Sequence, residues 1–318
     1  MTIARASLMA LSVALTGAFG CGGGDETASP GGGGDPGDAA WTGDGPISVS
    51  TKPVTVTDVT GTFLCYPTTC SGKLLECGDC VDNDGDNKID AHDRECLGPC
   101  DNTEGPALTA GIGGETGGPC KADCYFDFGN GPGNDNCLWD HQCDPLAVAP
   151  LYPPEGVDCK YDQTLVGSPK DCPANQSDQC LNYCRPLTPN GCDCFGCCTF
   201  PELAGRGPNN GPGYVWIGSM DDMKNGTCTF ADVLEPTKCK PCTPVEGCWN
   251  DCGKCELCLG KDTLPPECTP PDGGTYDGGP PPARCPTNVM PCGLPGDAMC
   301  PVDTYCVTGC CVPTVIIN

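Results

Sequence analysis

Residues 80–96 read CVDNDGDNKIDAHDREC, with Asp82, Asp84, Asp86, Asp90 and Asp93 spaced between two cysteines and a single isoleucine, Ile89, among them. A segment this polar buries too little apolar surface to offset the entropy of ordering it, so hydrophobic collapse cannot fold it. Covalent closure through Cys80 and Cys96 can, and so can attraction of the carboxylates to a cation. Counted from Asp82, the aspartates stand at positions 1, 3, 5, 9 and 12, with Lys88 at position 7. Carboxylates on alternate residues of a curled backbone converge on one point, as a hard ion seeking roughly six to eight oxygens requires. Position 7 supplies a backbone carbonyl, so a lysine is tolerated there. Asn87 takes the sharp-turn position usually held by Gly, and Asn is the next best residue at positive φ. Ile89 is the apolar pin toward the body of the module. The spacing predicts a structural calcium ion on Asp82, Asp84, Asp86, Lys88 (through its carbonyl), Asp90 and Asp93.

The whole chain shares the shortage of apolar residues. It has 318 residues, 33 of them Cys, in the range of a disulfide scaffold. The hydrophobic fraction of 38% includes those cysteines, and the remainder, about 28%, is too thin for one large core. Gly 46 and Pro 35 make up about a quarter of the residues, which favours irregular structure. The expected fold class is therefore a set of small disulfide-rich modules, mostly loop, with a few short β-strands, minimal helix and no single large core. A net charge of -26 and a pI of about 4.1 exclude nucleic acid as a partner and argue against polybasic attachment to anionic lipid.

The N-terminal MTIARASLMALSVALTGAFGC carries one early Arg5, an apolar run and small residues before Cys21. The run is shorter than a bilayer needs, so it reads as a secretory signal over 1–20. Ala18-Phe19-Gly20-Cys21 resembles the lipobox of bacterial lipoproteins, with Ala18 where that family prefers Leu. The resemblance implies cleavage before Cys21, diacylation of its sulfur and attachment to the bacterial outer membrane or cell surface. The alternative is an ordinary signal-peptidase site that happens to precede a cysteine. Residues 21–46, Gly-rich, read as a flexible tether above the lipid.

Setting Cys21 aside leaves 32 cysteines, six at 65–100, twenty at 120–268 and six at 285–311. Each group is even, so each can close its own bridges. The candidates are Cys65, Cys70, Cys77, Cys80, Cys96 and Cys100 in the first group, and Cys285, Cys292, Cys300, Cys306, Cys310 and Cys311 in the last. The expected organisation is a short β segment plus the calcium-loop module over 47–104, a linker at 105–119 and a central cysteine-rich domain at 120–268. A Pro/Gly linker at 269–284 and a six-cysteine microdomain at 285–318 follow.

Alternation of β-branched residues predicts two short strands in 47–64, and GYVWIG (213–218) is a third candidate. SDQCLNYC (177–184) predicts one short helix capped by Ser177, with Cys180 and Cys184 on one face. Cys77/Cys80, Cys194/Cys197, Cys239/Cys242 and Cys252/Cys255/Cys258 have the spacing of zinc half-sites, or of a redox pair at CKPC, but in an exported chain disulfide use takes precedence. Residues 126–144 gather Asp127, Asn134, Asp135, Asp140 and Asp144 around His141 and Trp139. Their spacing fits no template, so they read as a polar loop, with a second calcium site or a ligand pocket as the alternative.

The pattern D-x-D-x-D-x-x-x-D-x-x-D followed by Cys resembles a thrombospondin type 3 repeat and, beyond it, the EF-hand-like calcium loop of dockerins. Dockerins use paired loops between helices, whereas one loop stands here beside cysteines. The resemblance implies a structural ion and no catalysis. No G-x-S-x-G, H-E-x-x-H or P-loop motif is present. The sequence favours a non-catalytic, membrane-anchored, calcium-stabilised surface protein acting in adhesion, envelope structure or ligand binding, with surface glycans or envelope proteins as partners and Trp139, Trp216 and Trp249 as exposed contacts. The alternative is a secreted hydrolase or a protease inhibitor carried on a disulfide scaffold.

Overall fold

A computed structural model describes residues 47–70, 72–108, 120–127, 135–149, 157–268, 283–294, 297–301 and 304–313. The signal segment, Cys21, the tether, most of both linkers and the last five residues lie outside the described residues. Among those described, no helix is long and apolar enough to cross a membrane.

The first part opens with β1 (Ile47–Val49), β2 (Val54–Asp58), β3 (Gly61–Cys65), β4 (Thr68–Cys70) and β5 (Lys73–Leu74). β4 lies between β1 and β5 in one antiparallel sheet, and β2 pairs with β3 in a separate hairpin, Val54 opposite Cys65. The hairpin turns because Asp58 Oδ1 accepts from the Thr60 amide at 2.6 Å and the Gly61 amide at 3.2 Å, an Asx-type turn. Gly61 (φ +134°) supplies backbone freedom there that a side chain would restrict. Most of the hairpin is exposed, so its anchorage is lateral. Phe63 stacks on His92 with ring centroids 4.1 Å apart, and the Val59 amide donates to the Asn87 carbonyl at 3.0 Å. Both contacts tie the hairpin to the aspartate loop.

In the centre, β6 (Lys121–Ala122) pairs with β7 (Trp139–Asp140). The one α-helix described, α1 (Asp178–Tyr183), begins as its sequence predicts: Ser177 Oγ accepts from the Cys180 amide at 3.0 Å. Cys180 and Cys184, one turn apart, both bridge from the same face, to Cys137 and Cys124. β8 (Cys197–Cys198), β9 (Val215–Trp216) and β10 (Lys240–Pro241) form a three-stranded sheet with β9 in the middle. β9 falls within the predicted GYVWIG. The last part is a hairpin of β11 (Thr304–Val307) and β12 (Cys310–Pro313).

Sixteen disulfides join every cysteine from Cys65 to Cys311. The first group closes as Cys65–Cys80, Cys70–Cys100 and Cys77–Cys96. The last closes as Cys285–Cys310, Cys292–Cys306 and Cys300–Cys311, and no bridge leaves its group. No cysteine bridges its C-x-x-C neighbour, although the outer two of the Cys252/Cys255/Cys258 run, Cys252 and Cys258, pair with each other. Cys239 bridges Cys228 and Cys242 bridges Cys197, so CKPC is neither a redox pair nor a zinc half-site.

Packing supplements the staples without replacing them. Ile47 and Leu75, Phe195 and Ile217, and Tyr305 and Val307 belong to one continuous buried cluster interleaved with half-cystines. This is a thin seam through small sheets of two or three strands, with no large core. Trp216 corrects one expectation: it is buried, its indole donates to the Phe195 carbonyl at 3.2 Å, and His141 packs edge-on against it. Trp139 and Trp249 are half-buried. This many bridges persist only in an oxidising compartment, which makes the protein an exported one.

Candidate metal centre

The aspartate loop folds by hydrogen bonding its own backbone to its own carboxylates. Asp82 accepts from the Gly85 amide at 2.7 Å and from the Asn87 amide at 3.0 Å. Asp84 accepts from the Asp86 amide at 3.0 Å, and Asp86 from the Lys88 amide at 2.8 Å. Gly85 and Asn87 take φ of 84° and 69°, so Asn87 adopts the left-handed conformation expected of it. The outcome is convergence: one carboxylate oxygen from each of Asp82, Asp84 and Asp86 lies within 4.8 Å of the others. Ile89 is buried beneath the loop.

The other two aspartates are placed differently. The Asp90 carboxylate accepts from the Cys80 amide at 3.1 Å and lies 3.2 Å from Cys65 Sγ, bracing the Cys65–Cys80 bridge. Burial pushes its pKa up to about 8. The Asp93 side chain is fully buried (0% exposed). Its Oδ1 accepts from the Glu95 amide at 2.8 Å, while its Oδ2 has no hydrogen-bond partner, and neither has the buried Glu95 Oε2. Burial, with the Glu95 carboxyl alongside, raises Asp93 to about 7. Lys88 is used by its side chain: Nζ pairs with Asp86 and lies 3.9 Å from Asp93 Oδ1 and 3.9 Å from Glu95 Oε2. The ammonium thus links position 5 to position 12, and a cationic group already stands between them.

Two residues beyond the twelve-position window complete the centre. Glu104, fully buried, clamps the loop from behind, its Oε2 accepting from the Asn83 amide at 2.6 Å and its Oε1 from the Asp90 amide at 2.7 Å. Burial raises it to about 7. Glu95 contributes its carboxylate beside Asp93. Neither has a spacing signal, because both are brought in by Cys77–Cys96 and Cys70–Cys100 rather than by the loop's own curl.

An all-oxygen set of this kind suits a hard cation, and sulfur is excluded because each nearby cysteine is bridged. The buried, unpartnered Asp93 Oδ2 is the atom that such an ion would satisfy.

The other sequence constellation divides: carboxylate oxygens of Asp127 and Asp135 stay within 4.8 Å of each other, while Asp140 and Asp144 serve local turns. Asp140 caps the turn at His141–Cys143, accepting from the Gln142 amide at 2.9 Å, and Asp144 accepts from the amides of Leu146 and Thr243. Burial lowers the His141 pKa to about 4. Asn134 lies outside the described residues. No family model, curated protein or solved structure matches the chain.

Proposed function

We propose that this protein is a non-catalytic ectodomain, stabilised by calcium and held to the bacterial surface by lipid on Cys21, that serves adhesion, envelope structure or ligand capture. The observation that carries the calcium reading is the fully buried Asp93 side chain with its unpartnered Oδ2, linked through the Lys88 ammonium to Asp86, one of three aspartates already turned toward one another. Leaving a buried acceptor unsatisfied costs about 1–3 kcal/mol, and a small module lacking a core has little with which to offset it. Asp82, Asp84, Asp86 and Asp93 would hold the ion, which would supply compensating positive charge and nothing else. Asp90 and Glu104 would serve as positioning residues, fixing the backbone at Cys80 and Asn83. Export follows from the disulfides, and the lipid from the lipobox-like segment.

Two measurements test the reading separately. Replacing Cys21→Ser should move the chain from the membrane fraction to the soluble exported fraction and remove a diacyl mass increment. If the variant stays membrane-bound, the anchor is refuted. Free calcium at about a hundred times its Kd should raise the stability of the oxidised chain by about 2.7 kcal/mol. An unfolding midpoint indifferent to calcium and chelator refutes the ion.

A further inference from the structure

Asp123, Asp127 and Asp135 are 2%, 1% and 0% exposed, three carboxylates sealed in one place well away in sequence from the aspartate loop. Carboxylate oxygens of Asp127 and Asp135 lie within 4.8 Å of each other. Asp123 faces Asp135 and Asp127, and its carboxyl contacts that of Asp135. Asp123 Oδ1 and Asp135 Oδ2 have no hydrogen-bond partner. Asp135 Oδ1 accepts from the Cys137 amide at 3.0 Å.

Covalent structure holds this arrangement in place. Asp123 adjoins Cys124, bridged to Cys184, and Asp135 lies two residues before Cys137, bridged to Cys180. Cys180 and Cys184 project from one face of α1, so the stem on either side of the acidic segment is stapled to a single rigid element. The Tyr125 amide adds a 2.8 Å hydrogen bond to the Cys194 carbonyl. The bridges therefore hold the backbone beside Asp123 and Asp135 against α1 and limit how far these carboxylates can separate to relieve their mutual repulsion.

We propose that Asp123, Asp127 and Asp135 form a second cation site, independent of the aspartate loop, that takes a calcium-class ion. Two oxygens on one calcium at about 2.3–2.6 Å can be no more than about 5 Å apart, and the separation of the Asp127 and Asp135 oxygens meets that limit. The ion gives the unpartnered Asp123 Oδ1 and Asp135 Oδ2 the partner the protein withholds. Zinc and copper are disfavoured because the adjacent sulfur, Cys124 Sγ, is locked in its bridge and only oxygens remain. The competing explanation is that these are three ordinary buried acids sharing protons. The two accounts predict opposite responses to amides: asparagine relieves repulsion between acids but strips charge from a metal site.

The test is metal counting on the full, oxidised chain, equilibrated with calcium, freed of unbound ion and analysed by native mass spectrometry and elemental analysis. The wild type, Asp82→Asn/Asp84→Asn and Asp127→Asn/Asp135→Asn are compared. The loop variant should retain one calcium that the second variant lacks, and the second variant should lose that part of the chelator-induced drop in unfolding temperature. A loop variant with no calcium overturns the proposal. An Asp127→Asn/Asp135→Asn protein that keeps the wild-type calcium content, or gains stability without losing an ion, overturns it as well. If the second variant does not fold, the loop variant alone decides. A wild type with one ion, kept by the loop variant, supports this site while sinking the loop site.

Discussion

Replacing Lys88 with glutamine removes the ammonium that pairs with Asp86 and stands 3.9 Å from both Asp93 Oδ1 and Glu95 Oε2. At that distance and an effective dielectric of about 20, each of the two longer pairs is worth ~4 kcal/mol before other terms. Lys88 keeps 29% side-chain exposure, and solvent screening, desolvation and side-chain ordering reduce the net to about 1–2 kcal/mol. In chelator, Lys88→Gln should therefore destabilise the protein by that amount, a fall in unfolding temperature of about 3–6 °C. Calcium binding should move the other way. The ammonium and the ion compete for Asp86 and Asp93, so what the ammonium contributes to the metal-free state is subtracted from metal affinity. Its loss tightens calcium binding by the same 1–2 kcal/mol, about 5- to 30-fold. Calorimetric titration and thermal unfolding, each on the full chain, measure both. A variant whose calcium affinity is unchanged or weaker would falsify the placement of the ion beside Lys88.

Three further outcomes follow from the structure. In chelator, stability should fall by several kcal/mol, about 1 of it from Asp90, as pH rises from about 6.5 to 7.5. Burial also holds Asp93, Glu104, Asp123 and Asp193 at about 7 to 8, and all lose their protons in that window. Burial holds Asp90 at about 8 when folded, against about 4 unfolded, so its bound proton stabilises the fold fully below the lower value and is lost through the upper. His141, lowered to about 4 by burial, opposes this only below its unfolded value of about 6.5, and a chelated protein that gains stability across the window refutes the buried acid. Cys124→Ala/Cys184→Ala opens a bridge with sequence separation 60, but Cys137–Cys180 already shortens the loop to about 17 residues, so the loss should be about 3 rather than about 4 kcal/mol by chemical denaturation. Gly196→Ala places a Cβ 2.9 Å from the Tyr125 ring at φ +82° and should cost about 2 kcal/mol or more; a neutral result would mean that Tyr125 is not packed there.

What the sequence made legible was local. The aspartate spacing located the convergence of Asp82, Asp84 and Asp86, because alternate residues on a tight curl face one way whatever surrounds them. The Ser177 cap and the shared face of Cys180 and Cys184 were readable for the same reason. What could not be read arises from contacts across long chain separations. Glu104 reaches Asn83 from 21 residues away, carried there by bridges whose pairing no cysteine count reveals. The spacing assigns Lys88 a carbonyl role and says nothing of its side chain, which lies within the acid cluster because the loop's charge attracts the nearest ammonium. Nothing in DCYFD marks the Asp123 carboxylate as buried; only the two staples onto α1 do so.

The most direct test is calcium titration of the chelated, fully oxidised chain by calorimetry, comparing wild type with Asp82→Asn/Asp84→Asn. The structure predicts that the wild type shows a binding event of Kd below about a millimolar, the weak end for extracellular modules, that the double variant has lost, beyond the event both proteins share at Asp123, Asp127 and Asp135. Superimposable isotherms for the two proteins would contradict a calcium ion held by the aspartate loop.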